Sequence, residues 1–400
     1  MLTTSNLAQA QKLDSLIQRQ RVDTSGKMVS MDASYNRPFL SVGRKVKVAL
    51  GGYLEANTLY SSQDGVSEGL SFQARRLSIF MSASIGKRIK FLSEIEFEEG
   101  GKEIGIEFAA VDIMFHPLAN LRGGIIINPI GSFNQNHDGP KWEFVNRPDM
   151  ATQLLPATWS NAGFGIFGKT YHRNWVFGYE AYLSNGFDNT IIDNEHNRTF
   201  LPASKANPKR FEESNNGLGL VTAKAVIKNR KIGELGISYM GGVYNKYEAD
   251  GVTLDVKRRL DVFAIDFSTT IKKTKTTIVA EAAYIMVDVP STYTQQFGNK
   301  QWGVFVDIVQ PILKRKILKW ENASLNLAFR VDYIDWNMGT LNETGVEMGE
   351  TRLALTPGIS FRPSPQTVLR LNYRYFWERD ILDNPPSLGA SWLFGVSTYF

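Results

Sequence analysis

The chain has 400 residues, no cysteine and a formal net charge of +5, and 43% of its residues are hydrophobic. No run of about 18 or more apolar residues occurs, which argues against a transmembrane helix, and the basic residues form no block of the kind that binds nucleic acid. The 24 Phe, 15 Tyr and 8 Trp residues would suffice for the aromatic girdles of a transmembrane β-barrel, so the composition leaves that class open.

Residues 1–43 are mostly polar and lack a regular alternation. Within them, Leu7 to Ala10 (Leu-Ala-Gln-Ala) resembles the end of a secretory signal peptide, with a cleavage site after Ala10. The polar N-terminus of a cytosolic protein is the alternative. We expect residues 1–43 to be a signal remnant followed by a mobile periplasmic segment.

From residue 44 onward, apolar and polar residues alternate with a period of two, which indicates β-strands. Most of these runs are long enough for a tilted membrane crossing of about 9–11 residues. The sixteen runs lie at 44–60, 69–84, 87–99, 103–116, 119–127, 162–169, 173–185, 217–227, 233–246, 258–271, 274–287, 300–314, 323–334, 349–361, 365–378 and 388–400.

Charged residues recur in these runs on the face opposite the apolar one. In the run 365–378, Leu371 and Tyr373 fall on one face, whereas Arg370 and Arg374 fall on the other. A soluble β-sandwich also alternates, but its mid-strand charges would face bulk water. In a membrane, an Arg facing lipid at mid-depth would cost about 2–4 kcal/mol, so these charges would have to face a wet lumen. The last run ends in Phe400, which resembles the insertion signal of bacterial outer-membrane barrels.

The connections between the runs alternate in length. Those after even-numbered runs are short, whereas those after odd-numbered runs are mostly long, which is the pattern of bacterial outer-membrane barrels. The sequence therefore predicts an all-β fold: a sixteen-stranded antiparallel transmembrane β-barrel over 44–400, with short periplasmic turns and long extracellular loops, in the bacterial outer membrane. The long connections are 61–68, 128–161, 184–216, 247–257, 288–299, 335–348 and 379–387.

The connection 128–161 is too long to be a simple turn. We expect it to fold inward and narrow the pore. The residues expected at this constriction are Asn134, Lys141, Arg147 and Asp149.

Three stretches resemble the phosphate-selective porin O and P family and its Bacteroidetes-type relatives. They are 76–100, opened by the pair Arg75-Arg76, then 121–134 and 145–168. The resemblance implies a sixteen-stranded porin, usually a homotrimer, with an arginine ladder and a lysine cluster around the constriction. The loop 247–257 departs from that pattern, since it holds three acidic residues beside one lysine.

Strand parity places ten charged residues on the inner face of the predicted barrel. Six cations against four anions predict a mild preference for anions. The alternative is that several of them pair across neighbouring strands and only stiffen the wall. The ten residues are Arg76, Lys90, Arg122, Arg330, Arg370 and Arg374, with Glu94, Glu96, Glu281 and Asp332.

Evidence for catalysis is weak. Only four histidines occur, and of these His137 stands beside Asp138, a pair more typical of an ordinary loop than of a catalytic dyad. We therefore expect no catalytic residue, metal ion or cofactor. The predicted function is an outer-membrane porin for passive diffusion of small hydrophilic solutes, with a mild preference for anions and phosphate as one candidate. The alternatives are a plugged or docking barrel whose long loops bind a partner, and a soluble β-sandwich or propeller.

Overall fold

Sixteen antiparallel strands close into a barrel. The computed structural model describes residues 17–20, 26–42, 48–196, 198–291, 298–338, 340, 344–346, 348–382 and 384–400. The expected signal remnant, which includes Leu7 to Ala10, lies outside the described residues. The strands are β1 (Val48–Gln63), β2 (Val66–Ile85), β3 (Ile89–Glu98), β4 (Glu103–His116), β5 (Ala119–Ile127), β6 (Ser160–His172), β7 (Trp175–Asn185), β8 (Gly219–Asn229), β9 (Gly233–Val243), β10 (Arg259–Thr270), β11 (Thr277–Val287), β12 (Lys300–Ile317), β13 (Trp320–Asp335), β14 (Thr351–Ser364), β15 (Thr367–Arg379) and β16 (Ser387–Tyr399).

Each predicted run corresponds to one of these strands, so the predicted sixteen-stranded barrel is confirmed. Every strand pairs with its neighbour in the chain, and β16 pairs with β1 from Gly389↔Gln63 to Tyr399↔Tyr53, which closes the sheet. Closure leaves no strand edge exposed along the wall, as a lipid environment requires.

The alternation of the sequence separates an apolar outer face from a mixed inner face. In β16, Trp392 and Phe394 are 53% and 48% exposed, whereas Leu393 and Ser397 between the outward positions are 2% and 0% exposed. In β15, Leu371 lies outside and Arg370 is buried inside, as predicted. Outward apolar side chains of this kind form the lipid-facing belt of a membrane barrel.

Two extracellular connections are much shorter than the others. Between β1 and β2 the chain turns at Asp64-Gly65 alone, so the long connection expected at 61–68 is wrong, because β1 and β2 stay paired up to Gln63↔Val66. Between β3 and β4 the chain turns within Glu99–Gly101, where Gly100 and Gly101 have φ angles of 72° and 93°. Glycine adopts these left-handed angles without the steric penalty that a side chain would add. The barrel wall is therefore low at this point.

Two extracellular connections fold into the barrel instead of extending from it. The first, 128–159, is here called the inner loop, and the second is 186–218. Both place large apolar side chains, such as Leu154 and Ile191, against inner-wall residues of β8 to β13. Burying one side chain of this size stabilises a fold by about 1.5–3 kcal/mol, which holds the loops inside. The helical turns in these loops are short, and no described helix is long and apolar enough to cross a membrane.

Of the expected mobile segment, the structure describes Ile17–Gln20, which pairs with Phe39–Val42, and residues 26–42, which pack against the inner wall. Met31, Arg37 and Phe39 are buried. The backbone of Phe39–Val42 pairs with the start of β1 through Leu40↔Leu50, Ser41↔Ala49 and Val42↔Val48. Residues 26–42 thus differ from the expected free segment, because their polar groups find partners on the inner wall.

The outward orientation of β16 predicts a large cost for a charge on its lipid face. Phe394→Arg is expected to lower the free energy of unfolding by about 2–4 kcal/mol, because the guanidinium would lie in hydrocarbon at mid-strand. Denaturant titration of the protein in lipid vesicles measures this loss. Leu382→Arg, in the connection after β15 where Leu382 is 72% exposed, is the control and should change stability little. Equal stability of the two variants would contradict the orientation.

Candidate pore constriction

Hydrogen bonds within the inner loop join its two ends. Asn134, expected at the constriction, is buried and binds both ends of the loop. Its Nδ2 donates to the carbonyls of Asn128 at 2.7 Å and Trp159 at 2.9 Å, and its Oδ1 accepts from the Trp159 amide at 2.7 Å. Asn134 thus holds the two ends of the loop together and fixes its shape.

Inward charges of the wall hold the first part of the loop. The Glu281 carboxylate of β11 accepts hydrogen bonds from the amides of Ser132 at 2.7 Å and Phe133 at 2.9 Å. Lys224 of β8 donates to the Gly131 carbonyl at 2.7 Å. Each of these charged side chains therefore hydrogen-bonds to backbone groups of the loop in the barrel interior. A buried polar group without such a partner would cost free energy.

The middle of the loop carries a buried charge network around Asp138. Two nitrogens of Arg37 lie 2.9 and 2.5 Å from the two Asp138 oxygens, Tyr399 donates to Asp138 at 2.6 Å, and Lys141 lies 3.1 Å away. Burial alone would raise the pKa of the Asp138 carboxyl, but the charges of Arg37 and Lys141 hold that pKa well below its usual range. Lys141, also expected at the constriction, thus braces the loop.

His137 and Asp138 do not form an accessible catalytic pair. His137 is buried, its Nδ1 lies 2.9 Å from the Asn134 carbonyl, and its Nε2 lies 3.7 Å from Glu94 and 3.8 Å from Asp138. These three side chains are close enough to share a metal ion. However, Arg37 pairs with both carboxylates, at 2.7 Å to Glu94, so a guanidinium already supplies the positive charge there.

Arginines of the opposite wall bind the last part of the loop. Arg370 donates to the Phe144 carbonyl at 2.7 Å, and Arg330 donates to the Asn146 carbonyl at 2.8 Å. Farther along, Arg374 pairs with Asp149, which was expected at the constriction.

The loop consequently bonds to the wall on most of its circumference. Among the described residues, its hydrogen bonds and ion pairs reach eleven of the sixteen strands, so the loop spans the lumen. These strands are β2, β3, β6, β7, β8, β9, β11, β13, β14, β15 and β16. A cavity of about 1010 Å³ remains beside the loop, between its residues 136–144 and the strands β11, β12 and β14.

Three of the inward arginines are ion-paired within the wall. Parity predicted their inward direction but not their partners. Arg122 lies 2.7 Å from Asp112, Arg330 lies 2.6 Å from Asp307, and Arg370 lies 2.8 Å from Glu55. For these three, the structure agrees with the alternative in which paired charges stiffen the wall.

The predicted acidic residues and Lys90 also have distinct environments. Glu94 and Glu96 are buried, and Glu96 accepts a hydrogen bond from Tyr53 at 2.7 Å. Asp332 accepts the Met150 amide at 3.1 Å. Lys90 is exposed beside the first periplasmic turn and lines a cavity there.

Five partly exposed arginines remain on the extracellular side of the inner loop, and we name them the arginine mouth. Arg76 lies 2.6 Å from Glu98, Arg75 donates to the Asn146 side chain at 3.1 Å, and Arg352 lies 2.7 Å from Glu378. The predicted residues among the five are Arg76, Arg147 and Arg374, and the additional ones are Arg75 and Arg352.

A β-bulge explains why Arg75 was missed. In the pairing of β1 with β2, Glu55 faces Arg76 and the next residue, Ala56, faces Ala74, so Arg75 has no partner in the register. A bulge interrupts strict alternation. Two consecutive arginines therefore reach the interior, and the alternation in the sequence could not show it. The inward direction of Arg352 could have been predicted from the alternation in its strand.

The Arg330–Asp307 pair offers a test of the bracing role. Arg330→Ala should lower the free energy of unfolding by about 3–5 kcal/mol, because it leaves Asp307 buried and unpaired. The double variant Arg330→Met with Asp307→Leu should recover most of that loss. Denaturant titration in lipid vesicles measures both. Wild-type stability of Arg330→Ala would show that the pair does not brace the wall.

Asp138 predicts a specific dependence of stability on pH. Because its pKa is lowered in the folded protein, the stabilisation is present above the ordinary pKa of 3.8 and is lost as the pH falls below it. The stability difference between the wild type and Asp138→Asn should stay constant from about pH 7 to pH 5 and narrow below about pH 4. Asp250→Asn, at an exposed turn, is the control. A difference that already narrows at pH 6 would contradict the network.

No family model matches the chain. An uncharacterized protein of Aquifex aeolicus strain VF5 is 36% identical over 149 residues, which are 36% of this chain and 33% of that protein. The chain thus matches a third of the length of that relative.

Several solved structures share the fold along most of the chain. The anion-selective porin from Comamonas acidovorans has a TM-score of 0.55 at 10% identity, covering 89% of this chain and 100% of that one. The outer membrane channel DcaP of Acinetobacter baumannii has a TM-score of 0.54 at 12% identity, with 90% and 99% covered. OmpT of Vibrio cholerae in its trimer form has a TM-score of 0.51 at 11% identity, with 89% and 100% covered. The closed barrel, its apolar outer face and these likenesses agree: the chain has the porin fold and is a β-barrel of the bacterial outer membrane.

Proposed function

We propose that the chain is a porin that lets small hydrophilic solutes diffuse passively across the outer membrane, with a mild preference for anions. The route passes the arginine mouth and is narrowed by the inner loop. The observation that carries the preference is charge: five partly exposed arginines stand beside four partly exposed carboxylates, those of Glu98, Glu107, Asp149 and Glu378. Low-dielectric walls focus the field of such a cluster on passing ions.

These arginines lie beside the inner loop, where their charge would act on solutes that enter the barrel. Residues 146–149 of the inner loop join the two halves of the cluster, because Asn146 contacts Arg75 and Asp149 contacts Arg374 and Arg352. Arg374 and Arg352 also lie over the ring of Phe376, at 4.6 and 5.4 Å from its centre. Ring and carboxylate contacts hold the guanidinium groups beside the loop, where the lumen is narrow.

Phosphate is one candidate anion. Paired guanidinium groups suit phosphate because each can donate two parallel hydrogen bonds. The resemblance of 76–100, 121–134 and 145–168 to phosphate-selective porins supports the same candidate. That resemblance and the trimer form of one structural neighbour support a homotrimer.

A second candidate function is a plugged barrel that binds a partner through its extracellular loops. The bonding of the inner loop to eleven strands favours it, since a loop held on most of its circumference obstructs the lumen. Electrical measurement separates the two, because only the porin passes current.

Neutralising two arginines of the mouth tests the proposed preference. The double variant Arg75→Gln with Arg352→Gln should lower the anion-to-cation permeability ratio on the order of twofold, because it removes two of five cations near the passage. The reversal potential under a salt gradient measures it, with chloride and then with phosphate. Lys272→Gln with Lys273→Gln, in the exposed turn after β10, is the matched control. An unchanged reversal potential in the arginine variant would refute the role of the mouth.

A further inference from the structure

Residues 26–42 occupy the periplasmic half of the barrel before the chain forms β1. They are here called the N-terminal segment. Their contacts with the wall lie close to the periplasmic turns: Lys228 of β8 donates to the Met28 carbonyl at 2.5 Å, and Glu234 of β9 accepts from the Ser30 amide at 2.6 Å. The segment therefore covers the periplasmic opening on this side.

The next residues extend this cover along the wall from β8 toward β4. Asp32 lies 2.7 Å from Lys169 of β6, and the Tyr35 hydroxyl donates to Asp112 of β4 at 2.6 Å. The Asp32–Lys169 pair is partly exposed, at 17% and 26% of the two side chains. Exposed ion pairs are weak, so these rim contacts are easily broken.

The strongest attachment of the segment is Arg37. Its guanidinium is fully buried between Glu94 of β3 and Asp138 of the inner loop, and it lies 4.6 Å from the centre of the Phe80 ring. A buried pair of this kind is costly to break by removing one partner, since the remaining charges stay unpaired. Arg37 thus connects the segment to the wall and to the inner loop at once.

Residues 26–38 can leave the lumen without breaking the closure of the barrel. β1 and β16 are paired from Tyr53 to Gln63, and the segment pairs with the wall only through Phe39–Val42, at the start of β1. Its packing is also incomplete: a cavity of about 420 Å³ lies between it and the wall, lined in part by Lys90 and Arg122. Apart from the three pairs at the start of β1, the described contacts between the segment and the wall are therefore separate from those that close the barrel.

We infer that the N-terminal segment is a periplasmic plug, latched to the inner loop by Arg37, and that its withdrawal switches the channel to a state of higher conductance. The inference rests on the proposed channel function. When the plug leaves, the vestibule beneath the inner loop widens, whereas the constriction stays in place because the loop keeps its bonds to the wall.

Release of the latch is tested in the full-length protein with Arg37→Ala. In planar bilayers this variant should show single-channel steps at least about twofold larger than those of the wild type, because the vestibule resistance falls.

A reporter cysteine, Ser34→Cys, should react with a water-soluble maleimide about tenfold faster in the Arg37→Ala background, since the open state is more populated. The chain has no cysteine of its own, so labelling reports this position alone. Arg88→Ala, an exposed arginine of the periplasmic rim, is the control.

A cross-link tests the plug with Arg37 intact and covers the case in which Arg37→Ala fails to fold. Asp32→Cys with Lys169→Cys, bridged by a short reversible bis-thiosulfonate, should hold the protein in its low-conductance state, and reductant should restore the larger openings. Bridging that leaves the openings unchanged would overturn the plug, as would Arg37→Ala with wild-type conductance and labelling. If Arg37→Ala speeds the labelling but neither the wild type nor this variant passes current, the proposed channel function would be overturned instead.

Discussion

A β-sheet in a lipid bilayer can leave no edge unpaired, and the pairing of β1 with β16 meets that constraint. Once the sheet is closed, each side chain of the wall faces either hydrocarbon or the interior. Charged groups are excluded from the hydrocarbon, so they collect inside. The rest of the structure follows from how these interior charges find partners.

Some of these partners lie on other strands of the wall, and others come from the chain's own irregular segments. Glu281 accepts backbone amides of the inner loop, Arg370 donates to a carbonyl of the same loop, and Arg37 carries the N-terminal segment into contact with Asp138. Pairing offsets the cost of burying charge, and it also fixes the loop and the segment in place. On the extracellular side of the loop, the side chains of the arginine mouth are partly exposed. Their positive charge is therefore the part of the interior charge that faces the passage.

The strands could be read from the sequence because a wall between lipid and a polar interior imposes a period of two. The direction of Arg122, Arg330 and Arg370 followed from the same rule. Their partners did not, because they lie on other strands whose register is set by three-dimensional pairing: Asp112 and Asp307 on the adjacent strand, and Glu55 two strands from Arg370. The bulge at Arg75 breaks the rule locally, so parity misplaces it. The inward packing of residues 26–42 had no periodic signal, since it depends on isolated contacts such as that of Arg37 with Glu94.

The proposed porin function requires that solutes pass through this barrel in spite of its bonded inner loop. Single-channel recording of the refolded full-length protein under a salt gradient measures this passage. An open porin with the arginine mouth should give discrete current steps with a reversal potential shifted toward that of the anion. Stable insertion of folded protein without current would contradict it and would favour the plugged barrel.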